Sequence, residues 1–211
     1  MAKITLWGFN GSTYVRTVRM LLAEKGVRDY EQVPVDVLNG EPKEAEHLSR
    51  HPFGKVPVVD VDGFRIIETA AIARYLDAVL PGPSFVPADP KNVARMDMVV
   101  NIIDSYGYGP MIGGVVAYHF FPDFVGGKNE AVHREGLEKS RKVLSELMRI
   151  KGSSAFLAGD DASIAAPRRS ARGRWMPRSE RRQAKGPNGG SRGSWDCSRS
   201  EEAIAPRGAS G

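Results

Sequence analysis

Twelve residues in the first third of the chain constrain its fold more than any others. Val56-Pro57-Val58-Val59-Asp60-Val61 and Phe64-Arg65-Ile66-Ile67 are two apolar, largely β-branched runs joined by Asp62-Gly63. An Asp-Gly link tolerates the positive φ angles of a two-residue primed turn, so the segment predicts a β-hairpin. The residues around it supply the remaining elements. Lys3 to Trp7 alternates apolar and polar residues, as a half-buried strand does. From Thr13, the apolar positions Val15, Val18, Leu21 and Leu22 recur at helical spacing until Lys25-Gly26, where glycine closes the helix. Tyr30 to Val37 reads as a second strand, with Pro34 pointing to a sheet edge. A short helix around Ala45 to Ser49 interrupts the polar stretch that follows. After the hairpin, Ala70, Ile72, Ala73, Leu76 and Val79 form the apolar side of a helix from Thr69 to Val79, which Pro81-Gly82-Pro83 ends. Strand, helix, strand, helix, hairpin, helix describes a small α/β domain on a mixed sheet, over residues 1–81.

Beyond Asp89-Pro90 the pattern is helical throughout: Val93 to Tyr106, Met111 to Phe121 and Asn129 to Ile150. Gly107-Tyr108-Gly109-Pro110 is expected to break the first helix from the second, and Pro122 with Gly126-Gly127 the second from the third. This makes an all-α second domain over 91–166.

The character changes after Ala166. Pro167 to Gly211 holds one Ile and no Leu or Val, and it carries eleven Lys and Arg against four Asp and Glu. Its local charge of +7 exceeds the +5 of the whole chain, which leaves −2 for residues 1–166. The basic balance is therefore a property of the tail and does not mark the folded part as a nucleic-acid binder. A tail so poor in apolar residues is expected to be disordered. Its Arg-Gly-Ser bias with Trp175 and Trp195 is the one feature of a kind that RNA binding uses, and nucleic acid is not the expected partner.

A single cysteine excludes an internal disulfide framework and a cysteine-built zinc site, and it fits a reducing, cytoplasmic setting. No apolar stretch approaches the roughly 20 residues of a membrane helix, and no signal peptide precedes the first strand. His47, His51, His119 and His133 have no metal-ligand spacing, so no metal is expected, and neither a P-loop nor a dinucleotide fingerprint is present.

Three segments carry the chemistry: Gly8-Phe9-Asn10-Gly11-Ser12-Thr13-Tyr14-Val15-Arg16, His51-Pro52-Phe53-Gly54-Lys55-Val56-Pro57, and Glu68-Thr69-Ala70-Ala71-Ile72-Ala73-Arg74-Tyr75-Leu76. In this order and spacing they resemble the cytosolic glutathione transferases, and the serine-type, phi-like groups in particular. Phe156-Leu157-Ala158-Gly159-Asp160 adds to the match. The resemblance implies a thioredoxin-like α/β domain followed by an all-α domain. The implied enzyme conjugates the thiolate of reduced glutathione to hydrophobic electrophiles, with glutathione as co-substrate and no other cofactor.

On that reading Ser12 is the catalytic residue. A thiol near pKa 8.5 is mostly protonated at neutral pH, and a hydroxyl at a helix N-terminus favours the thiolate. Taken alone, a serine at a helix start is an N-cap, and both readings stand at this point. Val56 and a cis Pro57 would present backbone groups to the cysteinyl part of glutathione. Lys55 would face the glycyl carboxylate. Thr69, as helix cap, and Glu68 would hold the α-amino acid end. Pro42 stands where phi-like members often place a histidine, with Lys43 as a partial substitute. A cleft for the second substrate would draw on Phe9, Asn10, Tyr106, Tyr108, Met111, Ile112 and Tyr118, residue types that at helical spacing equally suit a core. Phe53 resembles the aromatic residue that such enzymes insert into a second subunit, which implies a homodimer. A non-catalytic glutathione-binding module of the same fold is the alternative.

The resemblance stops at Asp161-Ala162-Ser163-Ile164-Ala165-Ala166. Family members continue Ser/Thr-x-Ala-Asp into a capped, buried helix; here Ala166 replaces the Asp and Pro167 follows. The abrupt loss of pattern is expected to reflect a reading-frame change over about the last 45 residues, leaving the helical domain incomplete; a functional disordered extension is the competing account.

Overall fold

The computed structural model describes residues 2–165, all within one compact unit. The readings made of Ala166 and the basic tail, RNA binding included, lie outside the described residues.

Four strands form one mixed sheet in the order β2-β1-β3-β4, with β1 Ile4–Gly8, β2 Glu31–Pro34, β3 Val58–Val61 and β4 Phe64–Ile67. β2 runs parallel to β1, β3 pairs with β1 antiparallel, and β4 returns antiparallel to β3. Asp62 at φ 52° and Gly63 at φ 88° turn the hairpin, as the Asp-Gly link predicts. Pro34 sits on an edge strand, where its missing N–H costs no ladder bond. β2 is shorter than the Tyr30–Val37 run: its partner β1 ends at Gly8, which pairs with Pro34.

Helices α1 (Thr13–Glu24) and α3 (Thr69–Val79) pack against each other over the sheet. Ile4, Leu6, Val15, Val18, Leu22, Val59, Ile72 and Leu76 are almost wholly buried between them. Burying side chains of this kind contributes about 1.5–3 kcal/mol each. The short α2 (Ala45–Leu48) lies in the connection between β2 and β3.

Asp77, near the end of α3, fastens the segment that leaves the sheet. Its carboxylate pairs with Lys25 Nζ at 2.8 Å and accepts from the amides of Phe85 (2.9 Å) and Val86 (3.1 Å) and from Ser84 Oγ (3.0 Å). Lys25 also donates to the Asp77 carbonyl at 2.8 Å. Both side chains are buried, at 1% and 4% exposure.

The helical part opens with α4, Pro90–Ile102, capped by Asp89. The expected break at Gly107–Pro110 does not occur. The chain stays helical through wide, π-type turns at Ile103–Gly107 and Gly109–Val116 into α5, Ala117–Phe120. The Tyr108 amide reaches back to the Ile103 carbonyl, and that of Ala117 to Ile112. The wider turn absorbs the amide that Pro110 lacks, a recognised alternative to a kink. Asn129 then caps α6, Glu130–Lys151, through the amides of Ala131 and Val132. α6 crosses the π segment at two facing glycines: a Cβ on Gly114 would stand 2.9 Å from Gly136 Cα. A second core gathers Val99, Val143 and Leu147, with Ile102, Met111 and Ile150 against it. Ile164 returns to the first core, its amide donating to the Phe85 carbonyl at 3.0 Å.

Candidate active site

Strand register brings the three sequence segments to one end of the sheet. Trp7 pairs with Val58, and Val58 with Ile67. The loop leaving β1, the residues entering β3 and the residues leaving β4 are therefore neighbours there: Ser12, Val56-Pro57 and Glu68-Thr69. The Val56–Pro57 peptide bond is cis.

Ser12 caps α1, its Oγ accepting from the Val15 amide at 3.4 Å. The cap uses a lone pair on the oxygen, while the hydroxyl proton stays free to donate. Capping and donation to a ligand are therefore compatible at this residue. One correction concerns the third segment. Thr69 is the first residue of α3 and not its cap; Glu68 occupies the cap position, at φ 69° and ψ 116°. That left-handed region is sparsely populated by non-glycine residues. Glu68 is exposed and Thr69 half-buried.

Two buried histidines support the turn into β3. His47 Nε2 lies 2.8 Å from the Lys55 carbonyl, so this nitrogen carries the proton. His47 Nδ1 is buried without a partner among the described residues. His51 Nδ1 accepts from the Phe53 amide at 3.3 Å. Burial lowers the His51 pKa, and the charges of His47 and Lys55 add to this against the pull of Glu68. The unfolded chain therefore binds the His51 proton more readily than the folded one. The stability that neutral His51 permits is present above about pH 6.5 and is lost as pH falls toward the depressed value. Melting temperatures measured from pH 8 to pH 5 should fall on the acid side. His51→Asn keeps an acceptor for Phe53 and should flatten that fall; an unchanged slope would place the titration elsewhere.

Tyr14, in the first turn of α1, joins the sheet layer to the helices. Its hydroxyl donates to Asp104 Oδ1 at 2.8 Å, and its ring stacks on Tyr108 with centroids 4.4 Å apart. Burial, followed by the hydrogen bond and charge of Asp104, raises its pKa, so Tyr14 stays protonated and remains a donor. Asp104 lies 90 residues away, and no local sequence signal announces the pair. Trp7, with the guanidinium groups of Arg50 and Arg65 at 5.5 and 5.6 Å from its ring, is a second feature that sequence reading missed.

The residues expected to line a second-substrate cleft divide. Tyr108 faces Tyr14, and Phe9 and Ile112 are half-buried. Tyr106 is 66% exposed. Three others are engaged elsewhere. Asn10 Oδ1 accepts from Arg19 on α1 and Gln32 on β2, which ties it to those two elements. Met111 packs against the helical core. Tyr118 stacks on His133 and donates to Glu130. Lys43 and Lys55 are both exposed.

The family model for the glutathione S-transferase N-terminal domain matches residues 2–78. Glutathione S-transferase 4 of Zea mays is 31% identical over 163 residues, covering 77% of this chain and 72% of the relative. Glutathione transferase F2 from Populus trichocarpa superposes with a TM-score of 0.66 at 30% identity, over 77% of this chain and 76% of that one. A glutathione S-transferase-I bound with lactoylglutathione gives 0.65 at 28% identity, over 78% of each chain.

Proposed function

Because this chain belongs to the glutathione S-transferase family, whose members are transferases acting on glutathione, we propose that its sheet end holds glutathione with Ser12 at the sulfur. The observation that carries this reading is the strand register Trp7–Val58–Ile67, which brings the three segments to one end of the sheet. Val56 offers backbone groups to the cysteinyl part, Lys55 its charge to the glycyl carboxylate, with Lys43 as a further cation nearby in sequence. Glu68 and the N-terminus of α3 hold the γ-glutamyl end, the carboxyl at the helix amides and the ammonium at Glu68.

The Ser12 hydroxyl donates to sulfur and stabilises the thiolate, and the thiol proton passes to water. Sulfur then forms a bond to the electrophilic carbon. With an aryl chloride, the carbon–chlorine bond breaks and chloride leaves with the electron pair. Tyr14, Tyr108 and Phe9 are apolar surfaces suited to a hydrophobic electrophile, and detoxification is the corresponding role. Phe53, 73% exposed, is the surface for a second copy of the chain, giving a homodimer. A cytoplasmic location follows from the family resemblance and the single cysteine.

Calorimetric titration with reduced glutathione, followed by turnover of an activated aryl chloride, tests the reading. Saturable binding with turnover is expected. Binding without turnover would instead identify a non-catalytic module, and no binding would remove the glutathione assignment for this chain.

A further inference from the structure

The second histidine pair lies away from the sheet end. His119, on α5, and His133, on the first turns of α6, bring their Nε2 atoms to 3.2 Å. Fourteen residues separate them, so their sequence spacing gives no hint of the approach. Metal–imidazole bonds are about 2.0–2.1 Å, which separates two donor nitrogens by about 2.9 Å at a right angle and about 3.3 Å at the tetrahedral angle. The observed spacing falls between these.

The surroundings hold the pair in place. The His133 ring stacks on Tyr118 (centroids 4.2 Å, 15°), and Tyr118 donates to Glu130. The two imidazoles stand nearly perpendicular, at 84°. Glu130 precedes His133 by three residues, a spacing that places carboxylate and imidazole on one helix face. Lys128 lies close by, its Nζ 5.4 Å from the Tyr118 ring centroid. His119 is exposed, whereas His47 and His51 are 1% and 2% exposed. Of the four histidines, this pair is the one open to solvent ions.

We propose that His119 and His133 form a two-imidazole site for a borderline first-row divalent cation, Cu(II), Ni(II) or Zn(II), completed by water. Among the described residues no group of three His, Cys, Asp or Glu gathers for a metal, so the site rests on two protein ligands with Glu130 as a neighbouring anion. Such an ion would clip the loop 121–129 by joining the helix before it to the helix after it. Hard cations such as Mg(II) and Ca(II), which take oxygen ligands, are excluded by the donor set.

The test is titration of the full-length, tag-free chain with Cu(II) at neutral pH in a weakly coordinating buffer. Cys197→Ser is carried in every variant, so that the single thiol does not compete. One Cu(II) per chain is expected, with nitrogen superhyperfine splitting in its EPR spectrum. Either His119→Asn or His133→Asn should weaken binding by about tenfold or more. His119 is exposed and His133 half-buried, and far-UV circular dichroism checks that each variant is folded. Unchanged affinity in the two variants, or an EPR spectrum without nitrogen coupling, would overturn the site and leave only a hydrogen-bonded histidine pair.

Discussion

Ser12→Ala is expected to lower kcat/KM for conjugation about a hundredfold while changing the glutathione dissociation constant by no more than a few fold. A shift of two units in the bound thiol's pKa corresponds to about 2.7 kcal/mol, which is that factor in thiolate fraction. The variant should therefore show an activity profile whose rise moves toward pH 8.5, the value of a free thiol. Ser12→Thr keeps the hydroxyl and should retain most activity. The cap itself contributes about 1 kcal/mol or less, since the bond to the Val15 amide is long at 3.4 Å. A modest stability loss with an unmoved pH profile would reduce Ser12 to a helix cap. Steady-state kinetics across pH, alongside calorimetry, separates the outcomes.

Asp77→Ala is expected to produce the largest loss of stability, about 3 kcal/mol or more, read from the urea midpoint at constant m-value. The substitution strands the Lys25 ammonium in a site where its side chain is 1% exposed, and it leaves the Phe85 amide without its acceptor and the Val86 amide with Ser84 Oγ at 3.2 Å. Lys25 keeps the Asp77 carbonyl, which limits the damage. Replacing both partners with apolar residues, as in Lys25→Met with Asp77→Leu, should restore much of the loss, because removing one charge of a buried pair costs more than removing both. The pH dependence has a definite sign. Burial alone would raise the Asp77 carboxyl, but the hydrogen bonds from Lys25, Phe85 and Ser84, with the Lys25 charge, hold it below the usual carboxylate range. Its contribution is thus present above about pH 4 and lost on further acidification. Asp77→Ala should lack that acid transition.

What was readable in the sequence was local. The Asp62-Gly63 turn, the cap at Ser12 and the bounds of α3 each depend on a few adjacent residues, and the structure reproduces them. The convergence of the three segments was not local: the sequence offered it only through the family resemblance, and in the structure strand register brings them together. The pair Gly107 and Pro110 misled, because breaker residues report an intrinsic preference that a widened helical turn can satisfy without a break. Thr69 misled by one residue, since hydroxyl residues favour caps but the left-handed Glu68 already fills that position. Asp104 beneath Tyr14, and His133 beside His119, are tertiary facts. No periodicity connects residues 90 or 14 positions apart.

The left-handed backbone of Glu68 bears on how this protein would change over generations. An L-residue at φ 69° costs the fold about 1–3 kcal/mol, whereas glycine adopts that angle freely. Substitution toward glycine at this position is thus thermodynamically downhill for folding. If the γ-glutamyl end of the ligand lies at Glu68 as proposed, the same change removes the carboxylate that meets it. Selection for ligand recognition and selection for folding pull this one codon in opposite directions. A lineage released from the need for glutathione would gain stability by losing the glutamate first.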